Sequence, residues 1–166
     1  MAELNRDQRF LPCLLDRLRD DEPKNKEESR NQRVISVQRY KDAVLRDLRW
    51  LFNASAHLPV EGSGDFSISN YPEAEKSVLN YGSRQLCGLV APDMEALSRE
   101  LSQAIDVFEP RISNHTVTIR ASQDRHLIAF EMRCEVWSEP IPEQLFLKTT
   151  IDLESGQATL GDSSNG

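Results

Sequence analysis

The chain of 166 residues has a length typical of one domain, and it carries 20 Lys and Arg against 27 Asp and Glu, a formal net charge of -7. This negative charge disfavours general binding to DNA, RNA or anionic membranes, which attract basic surfaces. Hydrophobic residues make up 39% of the sequence, which is enough for one core. No apolar run approaches the roughly 20 residues of a membrane-spanning helix. We therefore expect no nucleic-acid partner and no direct membrane insertion.

The cysteines and histidines favour a reducing compartment and give no indication of a metal site. Cys13, Cys87 and Cys134 are odd in number and lie far apart in the sequence, so we expect no disulfide framework. Neither they nor the three histidines have the spacing of zinc ligands. We therefore expect no metal and no cofactor. Because residues 1–9 lack the apolar core of a secretory signal peptide, we also expect a cytoplasmic protein.

The first third of the chain predicts a short helix, a charged linker and a long helix. Apolar residues follow a helical period from Phe10 to Leu18, with the helix ending around Asp20–Pro23. Residues 20–33 contain no aliphatic or aromatic side chain and predict a solvated linker. We therefore separate an N-terminal unit, residues 1–33, from a single domain over residues 34–160. The strongest amphipathic helix of the sequence, Ser36–Ala54, opens that domain.

Two further helices are predicted in the middle of the chain, after a loop over residues 55–70. Tyr71–Asn80 has a proline in its first turn and is followed by Gly82, which favours a helix end. The next helix opens at Pro92 and must end at Phe108 or Glu109, because the residue before a proline is pushed out of the helical region.

The hydrophobic period then changes from 3.6 to two, which is typical of strands with one buried face. The predicted strands cover residues 116–121, Ile128–Val136, Leu145–Ile151 and, as a short fourth strand, Gln157–Leu160. The last six residues, 161–166, predict a frayed tail. Helices followed by an antiparallel meander of three to four strands define an α+β fold.

The sequence offers little support for an enzyme. It has no phosphate-binding loop and no nucleophile elbow. The best pair of acidic residues for a glycosidase is Glu109 and Glu131, but a sequence cannot give the separation that such a pair requires. A glycosidase therefore stays as an alternative, and we expect no catalytic residues.

The most distinctive local feature is Glu109-Pro110-Arg111, which follows Phe108 at the end of a predicted helix. One interpretation is ordinary: the proline ends the helix and both charged side chains are solvated. The other is an exposed, rigid corner that projects an acid and an arginine in a fixed geometry. Because a guanidinium offers a planar fork to carboxylates and carbonyls, such a corner suits protein recognition better than catalysis.

The order and spacing of several short motifs resemble the TssE family, the small baseplate wedge subunit of bacterial type VI secretion systems. That family is similar to the gene-25 wedge protein of contractile phage tails, historically labelled lysozyme-like. The resemblance runs from about Leu14 to Leu160 and includes the family's motif at Glu109-Pro110-Arg111. The other matching segments are Pro12 to Leu18, Val44 to Leu48, Leu51-Phe52-Asn53, Ser77 to Gly82, Gly88, Pro142 to Asp152, and Gly156.

The resemblance implies a structural function in assembly rather than catalysis. It implies that the chain sits beside TssF, TssG and TssK in a baseplate docked at the cytoplasmic side of the inner membrane. It also implies help in starting polymerisation of the TssB–TssC contractile sheath. From the residues themselves, we expect Glu109, Pro110 and Arg111 to bind a partner, or to bind an adjoining segment that shapes the partner surface. A wedge protein of a contractile phage tail, and a glycosidase that cleaves peptidoglycan, remain as alternatives.

The C-terminal strands suggest a physical route to sheath contact. An unpaired strand edge is a template for the strand of another chain. The expected contact residues are Leu145, Leu147, Gln157, Ala158 and Thr159.

Overall fold

The computed structural model describes residues 10–18, 23–24, 34–54, 56, 68–83, 93–121, 127–137 and 142–162. Within them, helices precede a four-stranded antiparallel sheet, so the predicted α+β fold is confirmed. The helices are α1 (Leu14–Leu18), α2 (Val37–Asn53), α3 (Pro72–Glu75) and α4 (Met94–Phe108). The strands are β1 (Ile112–Ala121), β2 (Leu127–Val136), β3 (Glu143–Asp152) and β4 (Ala158–Asp162).

The sheet is a meander in which β1, β2, β3 and β4 lie side by side in chain order. β2 and β3 pair along their full lengths, from Leu127 opposite Asp152 to Val136 opposite Glu143. β1 and β4 are therefore the two edge strands. In β1 the register shifts between Ser113 and Thr116 because a bulge interrupts the pairing.

α2 and α4 cover one face of the sheet and form the core with it. α4 packs on β1 and α2 packs on β4. Each helix begins at the cap that its sequence supplies: the Ser36 hydroxyl accepts the amide of Arg39, and the Asp93 carboxylate accepts two first-turn amides. The fully buried residues include Val44, Leu48, Leu101, Ile105, Phe130, Met132, Leu147 and Ile151.

The N-terminal segment is shorter as a helix than its period predicts. Phe10 lies outside α1, exchanges backbone hydrogen bonds with Ile35, and stacks on Tyr40 with 4.9 Å between ring centroids. Pro12 explains the difference, because the residue before a proline is disfavoured in a helix. Phe10 joins the core, whereas the leucines of the predicted apolar stripe lie on the surface: Leu11, Leu14, Leu15 and Leu18.

Other boundaries also differ from the sequence predictions. The single helix predicted over Tyr71–Asn80 is α3 followed by a 3-10 turn, Val78–Asn80, because Ser77 caps a second start. β1 begins before the predicted strand because its bulge, with Asn114 at a φ of 47°, hides the period of two. β4 extends to Asp162, into the predicted tail. The predicted linker, residues 20–33, lies outside the described residues apart from the turn at Pro23 and Lys24.

Candidate functional site

The Glu109-Pro110-Arg111 corner forms a partly buried ion cluster with α2. The Arg111 guanidinium donates to both carboxylate oxygens of Glu109, each at 2.5 Å. Its Nη2 also donates to the Oδ2 atom of Asp47, at 2.6 Å. A single arginine thus connects the end of α4 and the start of β1 to the middle of α2.

The backbone places Glu109 inside the domain. Its amide completes the last turn of α4 through Ile105, and its carbonyl accepts the amide of Ile112, the first residue of β1. Pro110 lies between these two bonds, where the chain leaves the helix and enters the sheet. Glu109 is only 4% exposed, so the prediction of a solvated or exposed acid is wrong, whereas Pro110 beside it is exposed. A carboxylate so buried needs a partner, and Arg111 provides it.

The cluster continues to the N-terminal helix through Arg46. Arg46 donates to Asp47 at 2.8 Å and to the carboxylate of Asp16 on α1. The hydrogen bond from Arg46 outweighs the effect of burial and holds the pKa of Asp16 below its usual value. α1 is therefore attached to the domain by this ion pair as well as by the bridge between Phe10 and Ile35.

The cluster holds three carboxylates and two guanidinium groups, since Asp16, Asp47 and Glu109 face Arg46 and Arg111. Burial acts to lower the pKa of Arg111, but the bonds and charges of Glu109 and Asp47 outweigh it and raise that pKa. Both arginines therefore stay charged at any physiological pH. Their positive charge is matched within the cluster.

A cavity of about 230 Å³ lies beside the cluster. Asp47, Glu109 and Arg111 form its charged side, and its other lining residues are Leu15, Trp50, Leu51, Tyr81 and Phe108. Leu15 and Trp50 are each 49% exposed, and the neighbouring Leu14 and Leu18 on α1 are more exposed still. The surface around the cluster is therefore apolar at its rim and charged inside.

The two candidate acids of a glycosidase line different cavities. Glu109 belongs to the cavity beside the ion cluster, where Arg111 occupies both of its oxygens. Glu131 lies on the face of the sheet away from the helices, in a second cavity with Thr116, Thr118, Arg120 and Arg133. The structure therefore does not bring the two carboxylates to one cleft.

The predicted sheath-contact residues divide into two groups. Leu145, Leu147 and Ala158 are 4%, 0% and 7% exposed and direct their side chains into the core, so only their backbone groups are left for a contact with another protein. The alternating pattern of a strand explains this, because these are the buried positions of β3 and β4. Gln157 and Thr159 are exposed. β3 is moreover an inner strand, so the free edge on this side of the sheet belongs to β4.

Sequence reasoning missed three residues that build this site. Asp47 and Arg46 lie outside the apolar stripe of the long helix, where the pattern predicts solvated side chains, although both lie within a segment that carries the family resemblance. Asn53 stands near the end of the same helix, where its sequence position indicates no long-range contact, yet its carboxamide bonds to the backbone of β4. Two of the contacts are local, that of Arg46 with Asp47 and that of Asn53 with the carbonyl of Arg49. The other partners are at least 30 residues away in the sequence, so only the folded chain reveals these bonds.

Comparison with known protein families agrees with the fold and the motif order. The match is to the family described as baseplate wedge protein gp25, and it covers residues 38–141, which include α2 from its second residue, the ion cluster apart from Asp16, and the first two strands. No curated protein sequence matches the chain. Among the described residues, no helix is long and apolar enough to cross a membrane. The match extends over more than half of the chain, and the chain therefore belongs to the baseplate wedge protein gp25 family.

Proposed function

We propose that this protein is a structural wedge subunit of a type VI secretion baseplate, bound to TssF, TssG and TssK on the cytoplasmic side of the inner membrane. The family match supports a baseplate wedge-like protein. The resemblance of the motifs to the TssE family is the ground for proposing the secretion system, with a wedge protein of a phage tail as the alternative. The observation that carries the proposal is the Arg111 cluster. It gives the family's Glu-Pro-Arg motif a structural role beside an exposed apolar rim.

The cluster acts in this proposal as a rigid joint behind the docking surface. Arg111 fixes α2 against the junction of α4 and β1, and Arg46 fixes α1 against α2. The exposed leucines of α1 and the ring of Trp50 are thereby held in one orientation around the cavity. Apolar side chains surrounded by charges are typical of a surface that binds another protein.

The proposal includes the absence of catalysis. Glu109 has both oxygens engaged by Arg111, and Glu131 lies in another cavity, so the pair that a glycosidase requires has no common cleft. Purified protein incubated with peptidoglycan should therefore release no more reducing ends than buffer does. Turnover that disappears in Glu109→Gln would favour the glycosidase instead.

The proposed function also includes sheath initiation through the edge of β4. A strand of the first TssB–TssC ring would extend the sheet by main-chain hydrogen bonds, as extended segments do on exposed sheet edges. The supporting observation is that β4 is a short edge strand, which contains the exposed Thr159 and directly follows the exposed Gln157.

The motif is tested by counting fluorescent sheaths in cells that carry Arg111→Ala, with protein levels and circular dichroism as checks of folding. We expect sheath number to fall at least tenfold, because the orientation of α1 and Trp50 is lost. Arg120→Ala, an arginine whose side chain is 70% exposed on β1, is the matched control and should build sheaths at the wild-type frequency. A folded Arg111→Ala protein with normal sheath number would contradict the role of the motif.

A further inference from the structure

The carboxamide of Asn53, at the end of α2, occupies part of the free edge of β4. Its Oδ1 accepts the amide of Ala158 at 2.9 Å, and its Nδ2 donates to the carbonyl of Ala158 at 3.0 Å. These are the two bonds that an adjacent strand would make with one residue of an antiparallel pair. A side chain therefore takes the place of a neighbouring strand at this position.

The same bonds show which groups of β4 point away from the sheet. Backbone groups of a strand alternate between its two sides, and those of Gln157 face β3, since its carbonyl accepts the amide of Asp152 at 3.0 Å. Ala158 and Leu160 therefore direct their amides and carbonyls outward. Asn53 binds both outward groups of Ala158, whereas no described residue hydrogen-bonds the outward groups of Leu160. The open part of the edge thus begins at Leu160.

The opposite edge of the sheet is obstructed in a different way. α4 packs against β1, and the hydroxyl of Ser98 donates to the carbonyl of Val117 at 3.0 Å. A bulge with Asn114 in the left-handed region also interrupts the first half of this strand. Bulges and covering helices are the usual means by which proteins prevent strand addition. Of the two edges, β4 is the more suitable template.

We propose that Asn53 terminates strand addition on β4, so that an incoming extended segment pairs from Leu160 toward the C-terminus and ends before Ala158. The occupant is an extended backbone of another protein, because the open groups at Leu160 are one main-chain donor and one main-chain acceptor. The inference rests on the proposed sheath contact and specifies the residue of β4 at which that contact ends. Asn53 is a positioning residue here, since it blocks one pair of groups and leaves the next pair free.

The test measures amide hydrogen exchange at single-residue resolution in the free full-length chain and in wedges carrying TssB–TssC sheath. In the free wild-type chain the amide of Ala158 should exchange at least tenfold more slowly than that of Leu160. In the sheath complex Leu160 should slow at least tenfold while Ala158 stays unchanged. In free Asn53→Ala, the amide of Ala158 should exchange at least tenfold faster than in the free wild-type chain. In the complex of this variant the same amide should exchange slowly again, because the added strand now extends to Ala158.

Asn80→Ala is the matched control, since the carboxamide of Asn80 donates to the carbonyl of Glu75 rather than to β4, so the exchange of Ala158 and Leu160 should stay as in the wild type. Unchanged exchange of the β2 amides confirms folding, and Asn53→Ser replaces the alanine variant if that variant does not fold. If the amide of Leu160 exchanges more slowly in the complex but that of Ala158 in Asn53→Ala does not, Asn53 does not end strand addition, and the proposed sheath contact is still supported. If the exchange of the Leu160 amide is the same in the complex as in the free chain, both the sheath contact and the role of Asn53 are contradicted.

Discussion

Arg111 connects carboxylates from two separate parts of the fold. It is 20% exposed, yet it holds two carboxylates from different elements, and one of them, Glu109, has almost no contact with solvent. Removing the arginine leaves a buried negative charge without its partner, which is far more costly than losing an exposed ion pair.

Arg111→Ala should therefore lower the free energy of unfolding by about 2–4 kcal/mol. This is near the lower end of what breaking a buried ion pair costs, because a fifth of the arginine side chain is exposed. Urea denaturation measures the change. Arg120→Ala should stay within about 0.5 kcal/mol of the wild type. Equal effects of the two substitutions would contradict a structural role of the cluster.

Cys134 gives a second prediction at this scale. It is 5% exposed, and burial raises the pKa of its thiol to about 11. At pH 8 only about one molecule in a thousand then carries the reactive thiolate, so alkylation should be at least about 100-fold slower than for the same cysteine in urea. Mass spectrometry of alkylated peptides measures both rates. Similar rates in the folded and unfolded chain would show that Cys134 is accessible.

At the scale of elements, the attachment of α1 depends on an ion pair with a definite pH range. Arg46 lowers the pKa of Asp16 from its usual 3.8, so the pair stabilises the docked helix above that value. The stabilisation is lost as the pH falls through the lowered pKa. α1 should therefore be held less tightly in acid than at neutral pH, while the bridge between Phe10 and Ile35 continues to attach the segment.

We expect the α1 amide signals in nuclear magnetic resonance spectra to titrate with a midpoint below 3.8, the usual pKa of Asp16. Asp16→Asn should abolish this transition and weaken docking at neutral pH by no more than about 1 kcal/mol, because both side chains are partly exposed. A midpoint at or above the usual pKa of aspartate would contradict the ion pair.

The junction after α3 provides the sharpest backbone prediction. Gly82 has a φ of 130°, and a β-carbon there would lie 2.7 Å from the carbonyl carbon of Ala54 and 2.8 Å from the amide nitrogen of Ala56. The next residue, Ser83, exchanges backbone bonds with the chain after α2. Glycine at this position is therefore required both by its conformation and by the close approach of the backbone.

Gly82→Ala should lower the free energy of unfolding by about 2–4 kcal/mol, since it combines a strained backbone with a clash against main-chain atoms. Gly161→Ala is the matched control, because the nearest atom to its new β-carbon would be the carbonyl oxygen of Lys148, at an ordinary 3.4 Å. Thermal melting compares the two variants. A Gly82→Ala protein as stable as Gly161→Ala would contradict the close approach.

Sequence periodicity predicts a helix or strand well where a single hydrophobic period runs through the whole element. α2, β2 and β3 have clean apolar stripes, and their predicted bounds differ from the observed ones by no more than two residues. β1 was truncated because its bulge breaks the alternation, and Phe10 was assigned to a helix because its period matches while Pro12 opposes it. Local patterns thus predict local structure until a proline or an extra residue interrupts them.

The site was predicted less completely than the fold. The motif at Glu109-Pro110-Arg111 is visible in the sequence, but its burial depends on Asp47, which lies 64 residues before Arg111. Likewise, the position of Asn53 gives no indication of a contact with Ala158, which is 105 residues away. Charged residues on a helix surface are usually solvated, so only the folded chain distinguishes the exceptions.

At the scale of the whole molecule, the two proposed surfaces lie on different parts of the domain. The ion cluster and the apolar rim involve α1, α2 and the start of β1, whereas the open strand edge belongs to β4 at the other side of the sheet. In the proposed function this separation lets one surface bind the neighbouring wedge subunits while another surface receives the sheath. Arg111→Ala and Asn53→Ala should accordingly affect different partners.

The most direct test of the central claim is co-elution of the tagged full-length chain with TssF and TssG produced from the same genome. We predict one complex in size-exclusion chromatography that contains all three proteins, and loss of this chain alone from the complex in Arg111→Ala. The account would be contradicted if TssF and TssG eluted together while the folded wild-type chain eluted by itself.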